Sequence, residues 1–314
     1  MCYNTDMDRF SWNPPSNGRG NMLWPLIIGA IIGGCIVHQI NRSKNANALG
    51  GVRVDTGDCL PDDEDYIHNP QCILADKTSD EKVSQEAEKY AKAHKKEIIK
   101  KYLDGILKAE LPITIFMGGA PGVGKTEVSR QLISQHLHGF VRIDADELRA
   151  ELPSYNGANA HLFQKTASTL VSEIYSAALK AGINIILDGT FSNFGIQKRN
   201  IKHSLKQNRD VAIVYVYQSP EAAWRFVQSR QKADEGRSIP AADFVKKFMA
   251  SREVANGIKA LFGDKITLNL VVKNDVGRNK DWFIDIDSLD NHLKKAYNES
   301  DLTKIIKETT HEKW

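Results

Sequence analysis

Residues 113–138 constrain the rest of the chain more than any other stretch. Within Gly118-Gly119-Ala120-Pro121-Gly122-Val123-Gly124-Lys125-Thr126, the segment from Gly119 to Thr126 has the form G-x-x-x-x-G-K-T. In that pattern a glycine-rich turn wraps a phosphate with its backbone amides turned inward. The context fits on both sides. Ile113-Thr114-Ile115-Phe116-Met117 is a short, apolar, β-branched run that predicts a buried strand. From Glu127 to His138, the apolar Val128, Leu132, Ile133 and Leu137 recur at helical spacing. A helix N-terminus therefore follows the turn directly and adds positive potential to the anion site. Gly119, Ala120, Pro121, Gly122, Val123 and Gly124 would line the cradle, Lys125 would reach the β- and γ-phosphates, and Thr126 would ligate Mg²⁺. The ligands so implied are ATP and Mg²⁺.

A chain of 314 residues has room for one good-sized domain with appendages. Its 41% hydrophobic and 26% charged residues are those of an ordinary globular protein. A formal charge of +3 is too small to argue for a nucleic-acid partner, and none is expected. Cys2, Cys35, Cys59 and Cys72 show neither C-x-x-C pairing nor a histidine at zinc spacing. None lies beyond position 72, which suits a reducing compartment.

The N-terminal part divides by composition. Residues 1–21 are polar and read as a disordered tail. Residues 22–40, from Met22 to Ile40, fall in a stretch with no charged residue between Arg19 and Arg42. As a helix this run would reach about 28 Å, enough for a bilayer's hydrocarbon core. Pro25 would lie in the first turn, where a missing N–H costs little, and Trp24 at the interface. A cleaved signal peptide is the competing reading, because Ala46-Asn47-Ala48 has the A-x-A form. Gly29-Ala30-Ile31-Ile32-Gly33 would allow spans to self-associate. Arg42, Lys44 and Arg53 outweigh Arg9 and Arg19, which places the bulk of the chain in the cytoplasm. The expectation is a single-pass protein of a bacterial inner membrane. Residues 41–78 form a linker with the acidic knot Asp62-Asp63-Glu64-Asp65.

Residues 79–107 carry Val83, Ala87, Tyr90, Ala91, His94, Ile98, Tyr102 and Ile106 at helical spacing, a leading amphipathic helix. From Pro112 onward strands and helices alternate. Phe140–Ile143 predicts a strand ending in Asp144-Ala145-Asp146, and Ile183–Leu187 one ending in Asp188-Gly189-Thr190. Val211–Tyr217 predicts a further strand, Ala241–Leu261 a helix, and Ile266–Val272 pairs with Trp282–Ile286 across Asn274-Asp275-Val276-Gly277. The fold expected is α/β, a P-loop NTPase-type parallel sheet flanked by helices, over residues 79–290, plus one N-terminal transmembrane helix. Residues 291–314 read as a charged helical tail.

In a parallel sheet, Asp144, Asp146, Asp188 and the P-loop open on one edge. Phosphoryl transfer to a hydroxyl needs an acid facing the acceptor to take its proton, and Asp146 is assigned that task. Asp144 is assigned to the metal side. Asp146 could instead cap the following helix. Asp188 occupies a Walker B-like position, but Gly189 follows it, which disfavours a water-activating motor. Arg230 and Arg237, after the fourth strand, are candidates to spread charge over the transferred phosphoryl oxygens.

Four segments in this order and spacing resemble the zeta toxin family of P-loop kinases: Gly119–Thr126, Ile143-Asp144-Ala145-Asp146-Glu147-Leu148-Arg149, Leu187-Asp188-Gly189-Thr190 and Gly236-Arg237-Ser238-Ile239-Pro240. The resemblance covers roughly residues 80–290. It implies phosphorylation of the sugar 3′-hydroxyl of UDP-N-acetylglucosamine, with Asp146 as catalytic base and Lys125 and Thr126 on ATP–Mg²⁺. It implies Arg237 and Arg230 as γ-phosphate clamps and Asp188, with Thr190, as substrate contacts. Asp188 is Glu in toxin members, and the membrane span is an addition to the family pattern. It further implies an antitoxin, or a segment such as residues 79–107 that blocks nucleotide access in cis. The alternatives are a P-loop kinase acting on another hydroxyl, such as a nucleic-acid 5′ end or an antibiotic, and a membrane-tethered ATP switch or assembly factor without an acceptor.

Overall fold

The computed structural model describes residues 77–135, 139–233 and 239–311. The tail, the run at 22–40 and all but the end of the linker lie outside the described residues, as does Arg237. Among the described residues no helix is long and apolar enough to cross a membrane.

Six strands form one sheet in the order β2-β3-β1-β4-β5-β6. They are β1 (Ile113–Gly118), β2 (Phe140–Asp144), β3 (Asn184–Asp188), β4 (Asp210–Tyr217), β5 (Thr267–Lys273) and β6 (Asn279–Phe283). The first five pair in parallel, and β6 returns antiparallel to β5. All six residues of β1 are buried, as expected of a central strand covered by helices on both faces. The sequence places the last strand at Trp282–Ile286. The hairpin instead pairs Leu270 with Phe283 and Val271 with Trp282, so β6 begins at Asn279. The register of this ladder shifts between Val272 and Lys273.

Eight α-helices lie among the described residues. α1 (Lys77–Leu103) precedes the sheet, α2 (Lys125–Gln135) follows the P-loop and α3 (Ala145–Ala150) follows β2. α4 is Gln164–Ala181, α5 Phe194–Lys206, α6 Pro220–Ala233, α7 Ala241–Phe262 and α8 Glu299–His311. The α1 helix stops at Leu103, short of the expected Leu107, because Gly105 takes a left-handed φ of 71°.

Alternation along the strands divides the core in two. Phe116, Ile143, Ile185 and Ile213 face one side with Leu148, Leu170, Ile174, Ile201 and Ile258. Ile115, Met117 and Val214 face the other with Val128, Leu132, Trp224, Val227 and Phe244. Ala87, Ala91 and Ile98 of α1 are buried within the first core, where α1 packs on α4, β2 and residues 160–163. α1 is thus a wall of that core. The expected charged tail is likewise part of the fold. α8 packs on α6 and α7 and buries Leu302 and Ile306, and Trp224 Nε1 donates to Thr310 Oγ1 at 2.9 Å.

Candidate active site

The turn between β1 and α2 is anchored by its apolar residues. Ala120 and Val123 are 2% and 1% exposed, so the loop's shape is set by the core beneath it. Gly122 takes φ 78°, and a Cβ there would come within 2.1 Å of the Ala223 carbonyl oxygen. Only glycine lets the loop lie this close to the start of α6. On the other flank, Gly119 N–H donates to the Thr190 carbonyl at 3.2 Å, which ties the loop after β3 to the P-loop. Thr190 Oγ1 meets Ser192 Oγ at 2.9 Å.

Lys125 curls back over this turn. Its Nζ donates to the carbonyls of Ala120 at 2.7 Å and Gly119 at 3.0 Å. Burial lowers the ammonium pKa to about 8, against the fields of Asp188, Asp146 and Asp144, which hold it up. All three carboxylates picked out in the sequence therefore act on the P-loop lysine. Thr126 stands at the first turn of α2, where its backbone carbonyl accepts from Ser129 Oγ at 3.0 Å.

The three acids differ in their surroundings. β2 and β3 pair so that Asp144 lies opposite Asp188. Two carboxylates side by side need a shared cation, and Arg142 supplies it from the same face of β2, two residues before Asp144. Its guanidinium donates to Asp188 Oδ2 at 2.6 Å and also bonds Asp144 Oδ2 and Glu147 Oε1. Ser129 Oγ donates to the same Asp188 oxygen at 3.0 Å. Burial works against the Arg142 charge, but Asp188, Asp144 and Glu147 more than offset it and raise its pKa. Asp144 Oδ1 caps α3 by accepting from the Asp146 N–H at 2.8 Å. Burial, with the charges of Asp188 and Asp146, pushes the Asp144 carboxyl up to about 6.

The three acids are held differently. The cap of α3 is Asp144, one residue before the helix, and Asp146 sits inside its first turn. Asp144, expected on the metal, bonds Arg142 and the Asp146 N–H through its two oxygens. Asp188, expected to touch substrate, has a side chain only 4% exposed and bonds Arg142 and Ser129. Asp146 keeps an open aspect: its side chain is 40% exposed and is held by Arg149, whose Nη2 lies 3.0 Å from Asp146 Oδ1.

Arg230 extends from α6 toward α2 and meets Glu127 at 3.2 Å, with both side chains at least half exposed. Its expected partner Arg237 lies outside the described residues. Arg142 and Arg149 were missed in the sequence, although each had a signal. Arg142 is a charge in an apolar strand two residues from an acid, on the same face. Arg149 stands one helical turn from Asp146.

The site could hold a magnesium ion through the Thr126 hydroxyl. Among the described residues no group of three or more His, Cys, Asp or Glu side chains is arranged to hold a metal. The donor set fits Mg²⁺ bound chiefly by phosphate oxygens and water, as this small cation prefers.

The sequence model of one family, described as "Zeta toxin", matches residues 97–287. A curated relative, Toxin PezT of Streptococcus pneumoniae serotype 4, is 23% identical over 127 residues, which are 38% of this chain and 50% of that protein. The match thus spans half the length of this relative. A solved structure from the PezAT chromosomal toxin–antitoxin system of S. pneumoniae superposes with a TM-score of 0.54 at 14% identity, over 73% of this chain and 97% of that one. A structure of AvrRxo1-ORF1:-ORF2 with ATP aligns with a TM-score of 0.45 at 17% identity, over 66% of this chain and 65% of that one.

Proposed function

Because the chain belongs to the zeta toxin family of P-loop kinases, we propose that it transfers the γ-phosphoryl group of ATP to a hydroxyl. The family resemblance favours the sugar 3′-hydroxyl of UDP-N-acetylglucosamine as the acceptor. The observation that carries the reading is the half-exposed Asp146, fixed by a buried arginine at the sheet edge where its charge acts on the P-loop lysine.

In this mechanism the P-loop amides and Lys125 hold the β- and γ-phosphates, with Lys125 exchanging its carbonyl partners for phosphate oxygens. Mg²⁺ would neutralise charge on those oxygens, with Thr126 as the protein ligand. Asp146 takes the proton of the acceptor hydroxyl as its oxygen bonds to the γ-phosphorus. The bond from that phosphorus to the bridging oxygen breaks, and ADP leaves. Arg230, released from Glu127, and Arg237 would meet the charge on the equatorial oxygens. Arg142 and Asp188 keep the edges of β2 and β3 in register so that α3 presents Asp146 to the acceptor.

The test is a mass-spectrometric screen of the full chain with ATP and a panel of UDP-sugars, oligonucleotide 5′ ends and aminoglycosides. Acceptor-dependent gain of one phosphoryl group on UDP-N-acetylglucosamine supports the reading. Gain on another hydroxyl keeps the kinase and replaces the acceptor. Phosphate release indifferent to every acceptor would instead favour an ATP-driven switch.

Two further parts of this reading concern partners. A toxin–antitoxin origin of the solved relative supports a protein that holds the kinase in check, to be sought by co-purification from the native host. Residues 22–40 would anchor the activity at a membrane. Fractionation of the full chain against an Ile27→Lys/Ile31→Lys variant checks that anchor.

A further inference from the structure

The P-loop motif accounts for one lysine at the phosphate site, and the tertiary structure brings a second. Lys273 ends β5, which is separated from β1 by β4. It is 8% exposed, and its Nζ lies 3.4 Å from the carbonyl oxygen of Gly124, the residue before Lys125. Gly124 has φ 80°, and a Cβ there would come within 2.1 Å of the Lys273 Nζ and 3.0 Å of Glu127 Oε2. The ammonium thus fills the side of the loop where any other residue would carry its side chain.

A buried ammonium needs compensation. Burial lowers the Lys273 pKa, Glu127 opposes that shift, and Arg230 adds to it. Glu127 therefore stands between two cations, since it also pairs with Arg230. The segment that presents Lys273 is fixed from two sides. Gln218 Nε2 donates to the Asn274 carbonyl at 2.7 Å, and Gly277 of the same hairpin lies against the Phe226 ring.

The position of this contact gives it a consequence for the ligand. A trans peptide is planar, so its C=O and N–H point in opposite directions. The Gly124 carbonyl accepts from Val128 N–H at 3.2 Å, within α2, and from Lys273. The N–H of Lys125, in the same peptide unit, points the opposite way and is made a stronger donor for a phosphate held in the turn. The acids lie at the β2 and β3 ends, so a nucleotide whose γ-phosphate faces them extends the other way, toward β4 and β5, where Lys273 stands.

We propose that Lys273 is a positioning residue for the nucleotide: acting through the Gly124–Lys125 peptide, it orients a phosphate-binding amide and places a second positive charge beside the turn. The proposal rests on the reading of residues 119–126 as an ATP site. It adds a residue that lies 147 positions beyond Thr126 (273 − 126) and outside any motif.

Calorimetric titration of the full chain with Mg–ATP, paired with thermal unfolding in the absence of nucleotide, tests it. Lys273→Met is expected to weaken ATP binding by about tenfold or more, the scale of a lost charge-assisted contact. Lys273→Arg should recover most of that loss, and both variants should melt within a few degrees of the unaltered chain. If Lys273→Met does not fold, Lys273→Gln, which keeps a donor but no charge, is read in its place with the same expected loss. ATP affinity unchanged in the folded Met or Gln variant overturns the proposal, as does an Arg variant no better than Met. Failure of the unaltered chain to bind ATP would overturn the nucleotide reading itself.

Discussion

Arg149 and Asp146 form an ion pair of 3.0 Å in which the cation is buried and the acid is not: their side chains are 9% and 40% exposed. One turn of α3 thus carries a carboxylate to the sheet edge and anchors it from below. Asp146 is therefore fixed in position without being closed off. That distinguishes it from Asp144 and Asp188, whose side chains are 11% and 4% exposed.

If Asp146 takes the acceptor proton, Asp146→Asn should lower turnover by about 100- to 10,000-fold, the usual weight of general base catalysis. ATP affinity should change far less than turnover, because the P-loop contacts remain and only the field of Asp146 on Lys125 is lost. Lys125→Ala, by contrast, should weaken both. Single-turnover rates beside ATP titrations separate the two, and full activity in Asp146→Asn would remove Asp146 from the mechanism.

Lys125 titrates near pH 8 in the free protein. It is charged below that pH and neutral above it, so ATP affinity should fall as pH rises, approaching about tenfold per unit beyond pH 8. The stability of the free protein should move the other way. Because the folded-state value lies below the unfolded value of 10.5, the unfolded chain binds more protons between the two, and stability rises with pH across that window. Titration calorimetry and urea midpoints at pH 7, 8, 9 and 10 check both signs.

Arg142 compensates two buried carboxylates at once. Arg142→Met should cost about 3–5 kcal/mol of stability, the penalty for leaving buried charge unpaired. Adding Asp188→Asn to that variant should return a substantial part of the loss, since one of the stranded charges is gone. Urea unfolding of the single and double variants measures the coupling. A double variant no more stable than Arg142→Met would show that the pair is not coupled as described.

Gly122→Ala places a methyl 2.1 Å from the Ala223 carbonyl oxygen and 2.9 Å from Val227 Cγ2, at a positive φ. The P-loop must then separate from α6. Mg–ATP binding should fall by more than about tenfold while the melting temperature drops by only a few degrees, because the clash is confined to one turn. Unaltered ATP affinity would mean that the loop and the helix part without cost.

Much of this was legible in the sequence because it is written in local patterns. The P-loop is a contiguous motif whose glycines have one physical reason each. β2, β3 and β4 are short apolar runs ending at the residues the sequence suggests, and a parallel sheet places those ends on one edge by topology alone. The hairpin of β5 and β6 was visible from its turn residues, but its register was not. Register depends on contacts between distant strands: β6 begins at Asn279, Phe283 lies opposite Leu270, and Ile286 enters the core beyond the end of the strand.

Glycine spacing and hydrophobic period are properties of adjacent residues, so the order of amino acids was enough to set a phosphate cradle between a buried strand and a helix, with acids at the neighbouring strand ends. Which acid stays open depends on contacts between distant segments. Asp144 and Asp188 lie 44 positions apart (188 − 144) in the sequence, yet become register partners across β2 and β3, where Arg142 compensates both and leaves them little exposed. The same holds for Lys273, which reaches Gly124 because sheet order, and not chain order, sets which charges meet.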